Sequence, residues 1–257
     1  MDAIAEKKPV AFNRWLPYWA VFQADVRQTL RSWVYLFWVL LSVLATVGYL
    51  LYRFGSYHEG GIVQTASVHV SQLLRWIVLG SAAIVCVLTA GSITSERGTM
   101  ADSVLSRGIS RYQYFLGKWH ARLATVLGTF LTLGIATLIS ALFLLHEDLS
   151  LDGSLVALAV VAALLTTVIT FGVTVSAVAN STVLGIAVLW SMLCAAGFLM
   201  SFLPPRYPSP DRTLERLPYI LQGNYDLAGL AQFAGWSLLA SGVAALFGLG
   251  YFSRRDV

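Results

Sequence analysis

The sequence predicts an all-α integral membrane protein with six transmembrane helices, and three observations carry that expectation. Long apolar stretches fill residues 34–52, 76–94, 123–145, 153–178, 182–203 and 227–252. Each reaches the roughly 20 residues that a helix needs to cross a hydrocarbon core of about 30 Å. No Asp, Glu, Lys, Arg or His stands in the middle of any of them. Composition agrees, since 57% of the 257 residues are hydrophobic and only 12% are charged, with a mean hydropathy of +0.71.

The uncharged spans also bear on mechanism. Proton- and ion-coupled carriers keep ionisable groups at depth as relays or counter-charges. None is placed there in this chain, so any work it does is expected to draw energy from another subunit. The pieces outside the spans are short, and none can bury a core of its own. Residues 1–257 therefore read as a single transmembrane domain with three accessory segments: an amphipathic start at 1–32, a segment at 95–118 between spans two and three, and a loop at 204–226. Cys86 and Cys194 both fall within apolar spans and behave there as small hydrophobes.

Charge placement sets the expected orientation. Lys7, Lys8, Arg14, Arg27, Arg31, Arg97, Arg107, Arg111, Lys118, Arg122, Arg254 and Arg255 share the side that holds both termini. The opposite side has only Arg53, Arg75, Arg206, Arg212 and Arg216. By the positive-inside rule both termini face the cytoplasm. This bias also accounts for the pI near 9.2, so nucleic acid is not expected as a partner. A cleavable signal peptide is not expected either, because an amphipathic stretch precedes the first span.

That stretch has a helical pattern. Trp15, Trp19, Phe22, Val26, Leu30 and Trp33 follow one another at spacings of 4, 3, 4, 4 and 3, which puts them on one face. Arg14, Asp25, Gln28 and Arg31 fall on the other side. The pattern predicts an interfacial helix, its aromatic face in the headgroup region and its polar side, Arg31 included, toward water. Pro17 suits its first turn. The other reading, a plain extension of the first span, would drag the polar side into lipid.

Between spans two and three, Gly98 is placed to end a helix in a left-handed cap. Thr99 with Asp102 resembles a capping start, and Met100, Val104 and Leu105 mark one face of a short helix. Gly108 can stop it, and Ser110 with Gln113 forms a capping box that opens the next helix. Such a transverse helix would present a defined surface to a cytoplasmic partner; a basic loop held to anionic lipid is the alternative.

The remaining signals are less specific. Thr125, Thr129, Thr132, Ala136 and Ser140, and likewise Thr167, Thr170 and Thr174, recur at helical spacing. They fit either tight interhelical packing or a hydroxyl-lined path. His58, Glu59 and His69, and the run His146, Glu147 and Asp148, match no metal-ligand spacing, so no metal, cofactor or catalytic site is expected. The loop 204–226 carries Pro204, Pro205, Pro208, Pro210 and Pro218, could form a short helix over 211–221, and is long enough to act as a lid or gate.

Glu96, Gly98 and Thr99, then Leu105, Ser106 and Arg107, Ile109, Ser110 and Arg111, and finally Gly117 and Lys118, resemble the signature of ABC type-2 exporter permeases. The ending Tyr251, Phe252, Ser253, Arg254, Arg255 and Asp256 is similar to the common ending of those subunits. Gly108 departs from the pattern, which has proline there. The nearest branch includes the membrane subunit of the nitrous-oxide-reductase copper-maturation system, although no Met- or Cys-rich motif supports copper. The resemblance implies a homodimer of six-span subunits in a bacterial plasma (inner) membrane, with two cytoplasmic ATPase subunits docked below. Glu96, Gly98, Thr99, Arg107 and Arg111 would couple to the ATPase; Trp15, Trp19, Phe22, Arg27 and Arg31 would form the interfacial helix; and 204–226 would gate the outer side. ATP would be bound by the partner, as no G-x-x-x-x-G-K-[ST] loop is present in this chain.

Two other classes are weighed against it. A rhomboid-like intramembrane protease needs a histidine within a span, and none is there. An ATP-independent channel or secondary carrier would suit an uncharged solute, and would transport without any partner.

Overall fold

A computed structural model of the protein describes residues 15–59, 66–94, 109–145, 149–202, 204 and 209–254. Among these residues there are nine helices and no strand: α1 (Leu16–Leu30), α2 (Trp33–Glu59), α3 (Ala66–Thr94), α4 (Arg111–Leu145), α5 (Leu151–Val178), α6 (Thr182–Ser201), α7 (Pro210–Glu215), α8 (Leu217–Leu221) and α9 (Leu227–Arg254). Helices α2, α4, α5, α6 and α9 are long and apolar enough to cross a membrane. The remaining expected span falls within α3, whose described apolar stretch is Ala82–Thr94.

Serines set several of the helix starts. Ser150 accepts from Gly153 N at 3.0 Å, Ser181 from Leu184 N at 3.2 Å and Ser209 from Arg212 N at 3.4 Å. Each satisfies one of the orphan amides of a first turn. The expected capping box at the head of α4 is present in both directions: Gln113 N donates to Ser110 Oγ and Ser110 N to Gln113 Oε1, each at 3.2 Å.

Helix α5 is the centre of the bundle and packs against α3, α4, α6, α8 and α9. Its buried stripe, Ala157, Val161, Leu165, Ile169, Val173 and Ala177, repeats at intervals of four, which keeps one face continuously inward. Peripheral helices look different. Leu36, Phe37, Leu40 and Leu44 of α2, and Val183, Val188, Trp190 and Phe198 of α6, stay exposed. Surfaces of that size are stable against acyl chains and not against water.

Between helices in lipid there is no hydrophobic driving force, so close packing and hydrogen bonds must do the holding. The threonine stripes serve that end. Thr125, Thr129, Thr166 and Thr170 each donate back to the carbonyl four residues earlier. Others reach across: Tyr35 Oη meets Thr129 Oγ1 at 2.7 Å, Trp119 Nε1 donates to Thr170 at 3.1 Å, and Thr174 donates to the Ala244 carbonyl at 3.0 Å. With Thr125, Thr170 and Thr174 buried, the geometry supports the packing reading at these positions, while Thr132 and Ala136 of the first stripe are exposed.

The two ends of the bundle differ. One carries α1, the start of α4 and the end of α9, where Phe252 stacks on Tyr114 with ring centres 6.0 Å apart. The other carries α7 and α8. Here the expected single helix over 211–221 is two short ones meeting at Arg216, since Pro218 has no amide to continue the ladder. Leu217, Ile220 and Leu221 are buried, Ser150 N donates to the Leu221 carbonyl at 2.8 Å, and Gln222 Nε2 donates to Ser67 at 2.8 Å. Gly223, at φ +87°, makes the turn that lets this closure lie against Ser150.

Candidate functional site at the junction of helices α1 and α4

Helix α1 has three faces where its sequence pattern suggested two. Trp15, Trp19 and Leu30 are exposed and Phe22 is half-buried, forming an outward aromatic face suited to a lipid headgroup region. Arg27 and Arg31 are exposed on another side. The third face, Val21, Asp25 and Thr29, is buried against α4. Asp25, expected among the water-facing residues, is therefore an interior group at 2% exposure.

Its burial is explained by what it meets. Lys118 Nζ donates to Asp25 Oδ1 at 3.0 Å, and Arg122 Nη2 donates to the same oxygen at 3.3 Å. Arg122 Nε also stands 3.1 Å from Asp25 Oδ2, close enough for ion pairing though not aligned as a hydrogen bond. All three side chains are under one-tenth exposed. Burying any of these charges without its partners would be costly. Lys118 and Arg122 lie four residues apart on α4, so their side chains leave one face together and converge on one carboxylate. Lys118 also lies 5.5 Å from the Tyr114 ring centre, a second contact for its charge.

Around this triad the helices approach closely. Gly117 faces Val21 and the Tyr18 carbonyl, and a methyl there would meet Val21 Cγ1 at 2.9 Å and the carbonyl at 3.3 Å. Only a residue without Cβ allows α1 to lie this near. Tyr18 Oη pairs with His120 Nδ1 at 3.0 Å; burial pushes the Tyr18 phenol above its ordinary pKa. Helix α1 is thus fastened to α4 by an ion triad, a steric notch and a phenol–imidazole pair.

Of the residues expected to couple to a partner, Arg111 is the half-buried first residue of α4, while Glu96, Gly98, Thr99 and Arg107 lie outside the described residues. The flanks of that segment are well held. On its leading side, Ser176 Oγ accepts from Ile93 N at 2.9 Å and Thr94 N at 3.2 Å, and Thr94 Oγ1 meets Thr182 Oγ1 at 3.0 Å. On its trailing side stand the Ser110–Gln113 box and, two turns on, Lys118 of the triad. The described residues on either side of 95–108 are thus each anchored to the bundle, the end of α3 through Ser176 and Thr182 and the start of α4 through the capping box and the triad.

Asp25 and the Ser176 acceptor were not legible as functional residues. The usable signal was an acid on the wheel of α1 together with Lys118 and Arg122 one turn apart, which are opposite charges at complementary spacing on two amphipathic segments. Among the described residues, no three His, Cys, Asp or Glu side chains gather as a metal site; His146, Glu147 and Asp148 lie outside the described residues. No family model matches the chain, and no curated protein matches it.

Proposed function

We infer that the chain is the permease subunit of an ATP-driven exporter of the ABC type-2 kind. It would act as a homodimer of six-span subunits in a bacterial plasma membrane, with both termini cytoplasmic and ATP bound by two separate partner subunits. The observation that supports this most is the anchoring of both flanks of the 95–108 segment, the end of α3 on Ser176 and Thr182 and the start of α4 through the triad. A segment that must pass a push from a soluble motor into a bundle has to be short and rigidly rooted. A loop that only rests on lipid needs no such roots.

In this reading Glu96, Gly98, Thr99, Arg107 and Arg111 form the docking surface, and α1 spreads the force across the membrane boundary through Trp15, Trp19 and Phe22. The apolar stretches read from the sequence hold no ionisable residue in their middles, so they offer no ion relay at depth. The closed cap made by α7 and α8 is the outer gate. The test is affinity purification of the tagged chain from its native membrane in mild detergent. A soluble ATP-hydrolysing subunit is expected in equal amount with the chain. Recovery of the chain without such a subunit, across several detergents and with crosslinking, overturns the reading.

A further inference from the structure

At the end of the bundle opposite α1, a cavity of about 600 Å³ opens between α7, α8 and the first turns of α9. Arg212 and Arg216, four residues apart, both line it. Like charges at that spacing repel unless an anion lies between them. Arg212 Nη1 donates to the Pro204 carbonyl at 3.2 Å, whereas the Arg216 side chain has no ion-pair or hydrogen-bond partner among the described residues. The acid in the lining, Asp226, is engaged elsewhere: its Oδ1 accepts from Ala228 N at 3.0 Å and caps α9. The lining therefore holds two cations against one carboxylate, a formal charge of +1. Neighbouring Asp211 faces away toward Arg75, at 4.0 Å.

The surroundings of this charge suit an amphiphile. Tyr219, Asn224 and Gln232 bring neutral polar groups to the rim, and Ile220 and Leu230 contribute apolar wall. From Gln232, an exposed apolar row continues down the same face of α9 through Trp236, Leu239, Val243 and Phe247, at spacings of 4, 3, 4 and 4. The side of the protein poor in basic residues also concentrates three of its five, Arg206, Arg212 and Arg216, in this one loop. Orientation alone would disfavour such a cluster.

We propose that this cleft binds the phosphate headgroup of an anionic phospholipid, with Arg216 and Arg212 on the phosphate and the acyl chain along the apolar row of α9. Guanidinium pairs match phosphate geometry, and a tail on an exposed helix face supplies affinity that free phosphate lacks. The site stands independently of any ATPase partner.

The test uses the full chain purified in zwitterionic detergent, with lipid retention read by native mass spectrometry. Phosphatidylglycerol is expected to be retained and phosphatidylcholine not, and millimolar inorganic phosphate is expected to leave the bound lipid in place. Arg216→Gln is expected to weaken phosphatidylglycerol retention by about tenfold, the loss of one charge-assisted contact, and Arg212→Gln with Arg216→Gln to abolish it. Arg216 makes no contact that folding needs, so its single variant keeps the melting temperature of the parent and gives a clean reading if the double variant is unstable. Equal retention of the two lipids, unchanged binding by Arg216→Gln, or displacement by inorganic phosphate would each overturn the assignment.

Discussion

Asp25 shows how one side chain can decide the placement of a whole helix. With its two cationic partners it forms a buried ion cluster, and the cost of breaking such a cluster falls mainly on the charge left behind. Asp25→Asn keeps shape but leaves Lys118 and Arg122 without their counter-charge; it should cost about 3–5 kcal/mol of stability. Thermal unfolding in detergent reads that loss, and adding Lys118→Met should cost less in the Asn background than in the parent, the sign of direct coupling. Gly117 makes a second residue-scale case. Ala is the better helix former by about 1 kcal/mol, yet its methyl would press on Val21 and the Tyr18 carbonyl. Gly117→Ala should therefore destabilise by about 1–3 kcal/mol from overpacking. In a Val21→Ala background, which removes Cγ1 but keeps the Cβ at 3.1 Å and the Tyr18 carbonyl at 3.3 Å, the same change should cost less, and equal effects in both backgrounds would contradict the notch.

Among the elements, the end of α3 carries the sharpest expectation. Ser176 receives two amides of its last turn, so Ser176→Ala should cost about 1 kcal/mol and speed hydrogen exchange at residues 90–94, with little change in the middle of α5. Much at this scale was legible beforehand. The spacing of Trp15, Trp19 and Phe22 marked α1, and Ser110 with Gln113 marked the head of α4, because both are local signals within a few residues. The docking face of α1 was not, since Asp25 and Lys118 are 93 residues apart and a helical wheel holds no record of a distant partner. The break between α7 and α8 was readable in principle from Pro218. The threonine stripes favoured packing over a lined path without deciding between them, because a hydroxyl that bonds back to its own helix looks the same in sequence as one that faces a pore.

At the scale of the whole molecule, apolarity alone marked the bundle, and the sparse burial of α2 and α6 leaves broad faces for lipid or a second copy. The proposed coupling of one end to a partner is not written in apolarity. It rests on the anchored flanks of residues 95–108 and on a motif resemblance in that same segment. The most direct test is the rate of ATP hydrolysis by the co-purified partner in the presence of this chain. The account predicts that the parent chain stimulates turnover, and that Glu96→Ala and Gly98→Pro abolish the stimulation while both proteins still assemble in the membrane. Full stimulation by both variants would contradict it.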